Sequence, residues 1–164
     1  MSLELQDRRF LEAAEGWLEL GNWREAGVEL DQISPEIQGH PLVLRTRWGI
    51  QGASGNWEAA VETARVITEK APENSWGWIQ WAYSLHELKR TKEAQDVLRQ
   101  VVEQFPEEST MQYNMACYCC QLGQTEESWQ WLKRAVVGEG KKRIREMALE
   151  DPDLKPLWKE IAGF

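Results

Sequence analysis

The sequence predicts an all-α fold made of four similar helical hairpins, and three observations support this. A turn recurs every 34 residues, at Gly21, Gly55, Lys89 and Gly123. A small residue follows five positions after each turn, at Ala26, Ala60, Ala94 and Ser128. Between the turns, apolar residues recur at the spacing of one helical face. A fixed period of this length is typical of stacked helix pairs.

Each recurring residue has a mechanical role in such a hairpin. A glycine supplies the left-handed backbone that ends one helix and reverses the chain. A small side chain on the second helix lets two helix axes approach closely. Pro72 and Pro106 each lie 17 residues after a turn position and suit the first turn of a new helix. A single hairpin cannot bury its apolar face alone, so neighbouring hairpins are expected to stack.

The helical pattern fixes the expected elements. Trp78, Trp81, Ala82 and Leu85 form an apolar stripe along one such helix. We expect helix pairs at residues 4–20 and 23–33, 41–53 and 57–71, 75–88 and 91–104, and 109–122 and 125–137. The connection over residues 34–40 is longer than the others.

The chain is predicted to form a single domain over residues 1–164. Its repeats span approximately residues 7–40, 41–74, 75–108 and 109–137. Residues 138–164 differ from the repeats, with a short basic helix at 141–149 and a turn at 151–154. We expect this tail to cap the open apolar face of the last repeat.

Residues 7–137 resemble the tetratricopeptide repeat family. The residues at the family's signature spacings are Trp78, Trp81, Ala82, Leu85, Ala94, Leu98, Val101 and Pro106. The run from Tyr113 to Tyr118, followed by Leu122 and Gly123, resembles the last repeat of small bacterial members. The resemblance implies a right-handed superhelix whose concave groove is lined by the first helix of each pair. Members of the family usually bind a peptide or a partner protein in that groove.

Two repeats depart from the family pattern. The second has Trp48 where the family has a small residue, and Gly49 and Gly52 weaken its first helix by roughly 1 kcal/mol each. We therefore expect that helix to be shifted or shortened. The third repeat has Lys89 in place of the turn glycine, which is tolerated but less favourable.

The groove positions of the family carry over to seven residues that we predict to contact a partner. They are Trp76, Ile79, Tyr83, His86, Tyr113, Cys117 and Arg45. Aromatic side chains in a groove bury a large area at little cost in conformational entropy, so they are good anchors for a peptide. The alternative is that Trp76 and Ile79 are covered by the preceding repeat. Most of the ten tryptophans are predicted to lie in helix–helix contacts rather than in a binding site.

Composition narrows the class of function. The formal net charge of −8 makes nucleic acid a poor partner, because an acidic chain repels the phosphate backbone. No stretch approaches the roughly 20 apolar residues that span a bilayer. Without a secretory signal or a disulfide framework, the predicted location is cytoplasmic. No catalytic motif is present, so we expect a protein that is not an enzyme and needs no cofactor.

Two alternatives remain open at this stage. The first is a structural module that forms a homodimer through exposed apolar surfaces. The second is a metal- or thiol-binding protein, because Cys117 and Cys120 share a helix face and His86 occupies the equivalent place one repeat earlier. Cysteine also packs as a small apolar residue, and no fourth ligand is apparent, so no metal site is predicted. The leading interpretation is a scaffold that binds a protein or peptide partner.

Overall fold

All four predicted hairpins are present in the computed structural model, which describes residues 4–163. The first three helix bounds are α1 Leu5–Glu19, α2 Trp23–Leu30 and α3 Pro41–Ala53. The rest are α4 Trp57–Lys70, α5 Ser75–Glu87, α6 Thr91–Arg99, α7 Ser109–Gln121, α8 Thr125–Glu139, α9 Lys141–Glu150 and α10 Trp158–Ala162. The described residues contain no strand, and the predicted all-α fold class with four helix-turn-helix repeats is confirmed.

The chain divides into two compact units, Met1–Glu73 and Asn74–Phe164. The boundary falls between the second and third repeats. The prediction of one domain over residues 1–164 stays a prediction.

The first unit holds α1 to α4 around an apolar core. The buried members of this core are Leu11, Ala14, Leu30, Ile33, Ile37 and Val43. Helix α2 ends at Leu30, three residues earlier than predicted, and a 3-10 turn follows at Pro35–Ile37. The buried Asp7 carboxylate accepts a hydrogen bond of 2.8 Å from the Ser34 backbone N–H. The long connection is therefore fixed by apolar anchors and by a hydrogen bond to α1.

Helix α3 has its full predicted length, so the expected shift or shortening was wrong. The two glycines that should weaken it lie where other side chains come close. A Cβ on Gly49 would lie 2.7 Å from Cδ2 of Leu18, and one on Gly52 would lie 3.2 Å from the Trp57 ring. The cost of glycine in a helix is offset by the close packing that its missing side chain allows.

The turns within the hairpins share one backbone conformation. The φ angles are 76° at Gly21, 73° at Gly55 and 76° at Gly123, and Lys89 adopts the same left-handed region at 62°. Each turn closes with the same hydrogen bond, from the residue after the left-handed position to a carbonyl five residues earlier. In the third repeat this bond joins Arg90 N to Leu85 O at 2.9 Å. The third repeat therefore keeps the Schellman turn without glycine.

Replacing Lys89 by glycine is expected to raise the free energy of unfolding by about 0.5–1 kcal/mol. A side chain in the left-handed region costs about 1–2 kcal/mol, and the greater freedom of glycine in the unfolded chain cancels part of that gain. Urea denaturation followed by circular dichroism measures the difference. The reciprocal change, Gly123→Lys, should lower stability by a similar amount. Loss of stability on Lys89→Gly would contradict this account.

The four predicted close-packing positions are confirmed. Ala26, Ala60, Ala94 and Ser128 are all fully buried. The Ser128 hydroxyl donates a hydrogen bond of 2.7 Å to the Ala116 carbonyl, so the polar group is satisfied inside the contact between α7 and α8. These positions are small because a neighbouring helix occupies the space that a larger side chain would need.

The second unit holds α5 to α8 and the C-terminal segment. Helix α6 ends at Arg99 rather than at the predicted residue 104, and a 3-10 turn follows at Val102–Gln104. After α8, Gly140 has a φ of 86° and begins the turn into α9. A 3-10 turn at Pro152–Leu157 then leads into α10.

The predicted C-terminal cap is present in the second unit. Ile144, Leu154 and Ile161 are almost fully buried, so the segment contributes apolar side chains to the core. The Trp158 indole N–H donates to the Ala148 carbonyl at 2.9 Å and ties α10 to α9. Among the described residues, no helix combines the length and the apolar character that crossing a bilayer requires.

Candidate partner-binding face

The predicted groove residues lie on three helices. Trp76, Ile79, Tyr83 and His86 are on α5, Tyr113 and Cys117 are on α7, and Arg45 is on α3. Arg45 is exposed and belongs to the first unit, whereas the other six belong to the second. The second unit brings the α5 and α7 residues into one region.

Burial divides the predicted residues of the second unit into two groups. Tyr83 is 37% exposed and Trp76 is half-buried, so both present part of their side chains to solvent. The other four are buried, namely Ile79, His86, Tyr113 and Cys117.

A C-terminal turn covers several of the buried groove residues. We call residues Asp151, Pro152 and Asp153 the Asp-Pro-Asp turn. Both carboxylates of this turn point to α5 and α7, from 34 to 67 residues away along the chain. The surface that was predicted to face a partner in this part of the protein therefore contacts another segment of the same chain.

Four hydrogen-bond donors line this contact, and we call them the donor face: His86, Tyr113, Cys117 and Gln121. The Tyr113 hydroxyl donates to Asp151 Oδ2 at 2.9 Å, and the Cys117 thiol lies 3.5 Å from the same oxygen. His86 Nε2 lies 2.8 Å from Asp153 Oδ2, and Gln121 Nε2 donates to the Asp153 carbonyl at 2.9 Å. Two carboxylates and one carbonyl thus accept hydrogen bonds from all four side chains.

The local sequence explains why the chain turns at this point. Asp151 Oδ1 accepts a hydrogen bond of 2.9 Å from Asp153 N, which is the usual role of aspartate at the start of a turn. Pro152 has a fixed φ that suits the first position of the 3-10 turn. Leu154 and Leu157 follow and are buried, so the turn is also held by apolar contacts.

The environment of the donor face favours neutral, proton-bearing groups. Burial raises the pKa of the Tyr113 hydroxyl well above its usual range, and the negative charges of neighbouring groups add to this effect. Burial likewise raises the pKa of the Cys117 thiol, with a further contribution from Asp151 and Asp153. The pKa of Tyr83 is also raised, first by burial and then by Glu87, which accepts its hydrogen bond. Tyr113 and Cys117 therefore remain donors at neutral pH.

The free energy of unfolding is expected to fall as pH rises above about 8.5, where an unperturbed thiol begins to ionise. Burial raises the pKa of the thiols of Cys117, Cys119 and Cys120, so the unfolded chain loses these protons before the folded chain does. The folded state then holds more protons, and each such thiol contributes a slope of at most about −1.4 kcal/mol per pH unit.

Urea denaturation between pH 7 and pH 10 measures this slope. A Cys117→Ala variant is the control, because it removes the most deeply buried of the ionisable groups on the donor face and should flatten the curve. Constant or rising stability over this range would contradict the assignment.

The residues proposed for the thiol or metal alternative are engaged in other contacts. His86 Nδ1 lies 3.0 Å from the Thr91 hydroxyl, and its Nε2 contacts Asp153. Over residues 4–163, no group of three His, Cys, Asp or Glu side chains is arranged to hold a metal ion. The part of the chain that the structure describes therefore offers no ready set of ligands for a metal.

A cleft of about 220 Å³ opens beside the donor face, between the start of α7 and α9. Tyr113, Ile144 and Met147 supply its apolar wall, and Thr110 and Arg143 lie at its polar side. Met147 is 42% exposed, so the cleft presents an apolar side chain to solvent. Helix α9 thus extends the accessible surface next to α7 beyond the four repeats.

The Asp-Pro-Asp turn was missed as part of the candidate site. The sequence identified it as a turn, because aspartate and proline are typical turn residues. Repeat spacing predicts which residues of a helix share a face, but it does not predict which later segment returns to that face. In the sequence, the only indication of this contact was the presence of two carboxylates close to apolar positions in the tail.

Comparison with known proteins adds three findings. Residues 78–108 match the model of the tetratricopeptide repeat family. A tetratricopeptide protein of Thermus thermophilus superposes with a TM-score of 0.74 at 17% identity, covering 94% of this chain and 82% of that one. The MamA fragment from Desulfovibrio magneticus RS-1 superposes with a TM-score of 0.73 at 16% identity, covering 99% of this chain and 96% of that one. A search of curated proteins gives no match.

Proposed function

Because the chain is a tetratricopeptide-repeat protein, by its fold and by the repeat at residues 78–108, we propose that it is a scaffold that binds a peptide or partner protein on the first helices of its repeats. The tetratricopeptide fold supports a role in protein–protein interaction in general. The observation that carries the choice of surface is the accessible aromatic side of α5. Tyr83 is exposed there and Trp76 is half-buried.

Among the predicted groove positions of the second unit, the accessible residues are Trp76 and Tyr83, and Arg45 is exposed on the first unit. Tyrosine, tryptophan and arginine are the residue types that most often dominate binding energy at interfaces. The cleft beside Tyr113 and Met147 offers a pocket for an apolar side chain of the same partner. We place the main anchor at Tyr83, the most exposed aromatic residue of the predicted groove. The cytoplasmic location and the absence of catalytic activity remain predictions that accompany this proposal.

Tyr83→Ala is expected to weaken partner binding by about thirtyfold or more, because truncation of an aromatic anchor typically costs about 2 kcal/mol or more. The partner is first identified by crosslinking in native lysate with mass spectrometry, and its Kd is then measured with purified protein by calorimetry. The control is Val137→Ala on α8, which removes an exposed apolar side chain from a second helix. Equal Kd values for Tyr83→Ala and the parent protein would rule out this face.

Self-association is a second candidate that one observation favours. The first repeat exposes large apolar side chains, with Leu5 70%, Leu20 77% and Val28 57% exposed. Isolated exposed apolar residues are common, and a symmetric dimer would have to cover these three together. Light scattering should then report a dimer that Leu20→Glu with Val28→Glu converts to a monomer. A monomer in the unmodified protein would remove this candidate.

A further inference from the structure

The Asp-Pro-Asp turn satisfies the donor face as a bound peptide would. All four side chains of the donor face are directed at the turn, and every acceptor is an oxygen atom of Asp151 or Asp153. For His86 the contacts fit the tautomer with the proton on Nε2, which donates to Asp153 while Nδ1 accepts from the Thr91 hydroxyl. A surface that directs four donors at one place is suited to carboxylates and carbonyls.

The spacing of the acceptors defines the ligand further. Asp151 and Asp153 are two residues apart, and Pro152 between them fixes the turn that directs both carboxylates to the same side. The Asp151 oxygen reaches two residues of α7, whereas the Asp153 oxygen reaches α5. A ligand of this face therefore needs two carboxylates at positions i and i+2 of a turn.

The C-terminal segment has hydrogen bonds of its own that hold it together. Trp158 Nε1 contacts the Ala148 and Asp151 carbonyls, and the Arg145 side chain donates to the Ala162 carbonyl at 2.7 Å. Gly140, with its φ of 86°, stands at the junction before α9. The segment is therefore held together by its own bonds and is joined to α8 through this glycine. Because Leu154 is fully buried, opening is infrequent in the free chain.

We propose that the Asp-Pro-Asp turn is an intramolecular ligand of the donor face, and that the partner displaces it with an acidic segment carrying two carboxylates two residues apart. This inference rests on the proposed scaffold function and names the chemistry of its partner. A tethered segment has a high effective concentration, so a free partner must bind the donor face tightly enough to compete with the turn.

Thiol labelling of the full-length chain tests the opening of the turn. Cys117 lies under the turn, whereas Cys119 is buried elsewhere on α7 beside Gln95, so it reports on general unfolding. Labelling rates with a maleimide are measured for each cysteine by fragmentation mass spectrometry. The parent chain is compared with an Asp151→Asn and Asp153→Asn double variant and with Asp31→Asn, an exposed control in the first unit.

In the double variant, Cys117 is expected to react at least about tenfold faster while Cys119 remains slow, because hydrogen bonds to charged groups are lost and because the two charges that raise the pKa of the Cys117 thiol are removed. Only a variant that keeps both carboxylates separates opening of the turn from the change in pKa. A synthetic peptide with the sequence of residues 149–158 should restore slow labelling, and the same peptide with both aspartates replaced by asparagine should not. Gln121→Ala, at an exposed position that leaves both carboxylates intact, should accelerate Cys117 by about threefold, since one neutral hydrogen bond is lost.

Three outcomes would overturn the inference. Unchanged Cys117 rates in the double variant and in Gln121→Ala would mean that the turn does not open. Equal acceleration of Cys117 and Cys119 would make the turn a purely structural cap. Acceleration that the acidic peptide cannot reverse would exclude a carboxylate ligand. These outcomes are independent of the Tyr83→Ala measurement, so failure of the scaffold function and failure of the intramolecular ligand can be told apart.

Discussion

Tyr113→Ala is expected to lower the free energy of unfolding by about 3 kcal/mol, because removal of a large buried aromatic side chain leaves a cavity. Tyr113 is only 8% exposed, and its hydroxyl donates to Asp151. Tyr113→Phe keeps the ring and should cost less, about 1.5–2 kcal/mol, which is the lower part of the range for a hydrogen bond to a charged group. Thermal and urea denaturation of both variants measure these two contributions separately.

Tyr83→Ala provides the matched comparison for this prediction. Both tyrosines occupy predicted groove positions, but Tyr83 is 37% exposed, so its truncation should cost less than about 1 kcal/mol. Similar losses for the two alanine variants would mean that the α5 tyrosine is as much a core residue as the one on α7. That result would also weaken its assignment as the main anchor for a partner.

Ala94→Leu is expected to destabilise the protein by about 3 kcal/mol, at the upper end of the usual cost of overpacking a core. Ala94 is fully buried on α6, where the repeat requires a small side chain. The larger side chain would force apart helices that are now in close contact. The midpoint of urea denaturation reports the loss.

The same substitution at an exposed alanine is the control. Ala162→Leu, at an exposed position of α10, should change stability by no more than about 0.5 kcal/mol. If Ala94→Leu changed the free energy of unfolding as little as Ala162→Leu, the four small positions would not mark close helix contacts. The mechanical reason for the 34-residue repeat would then have to be sought in its turns alone.

The repeat architecture could be predicted from the sequence because its determinants are local and recur. The left-handed turn positions and the four small residues lie at fixed spacing, and the structure confirms both, including the turn at Lys89. The prediction for α3 was wrong because tertiary packing outweighed local propensity. Gly49 and Gly52 weaken an isolated helix, yet here Leu18 and Trp57 pack against them.

The candidate site was less predictable for a physical reason. Family positions indicated which side chains of α5 and α7 share a face, but the contact between His86 and Asp153 joins residues 67 positions apart. Such a contact depends on how the tail folds back onto α5 and α7, and the repeat spacing does not predict the path of the tail. The binding role of Trp76, Ile79, Tyr83, His86, Tyr113, Cys117 and Arg45 stays a prediction.

The shortened helix α2 bears on how such arrays tolerate change. Gly21 and Gly55 remain 34 residues apart although α2 has only 8 residues. The connection after α2 is longer than the others and contains the residues that the short helix lacks. Helical rise and loop length are therefore interchangeable within a repeat, provided that anchors such as Ile33 and Ile37 still reach the core. Exposed positions of this connection, such as Glu36, are the natural place to engineer a new recognition sequence into the first unit without disturbing the register of the helices that follow.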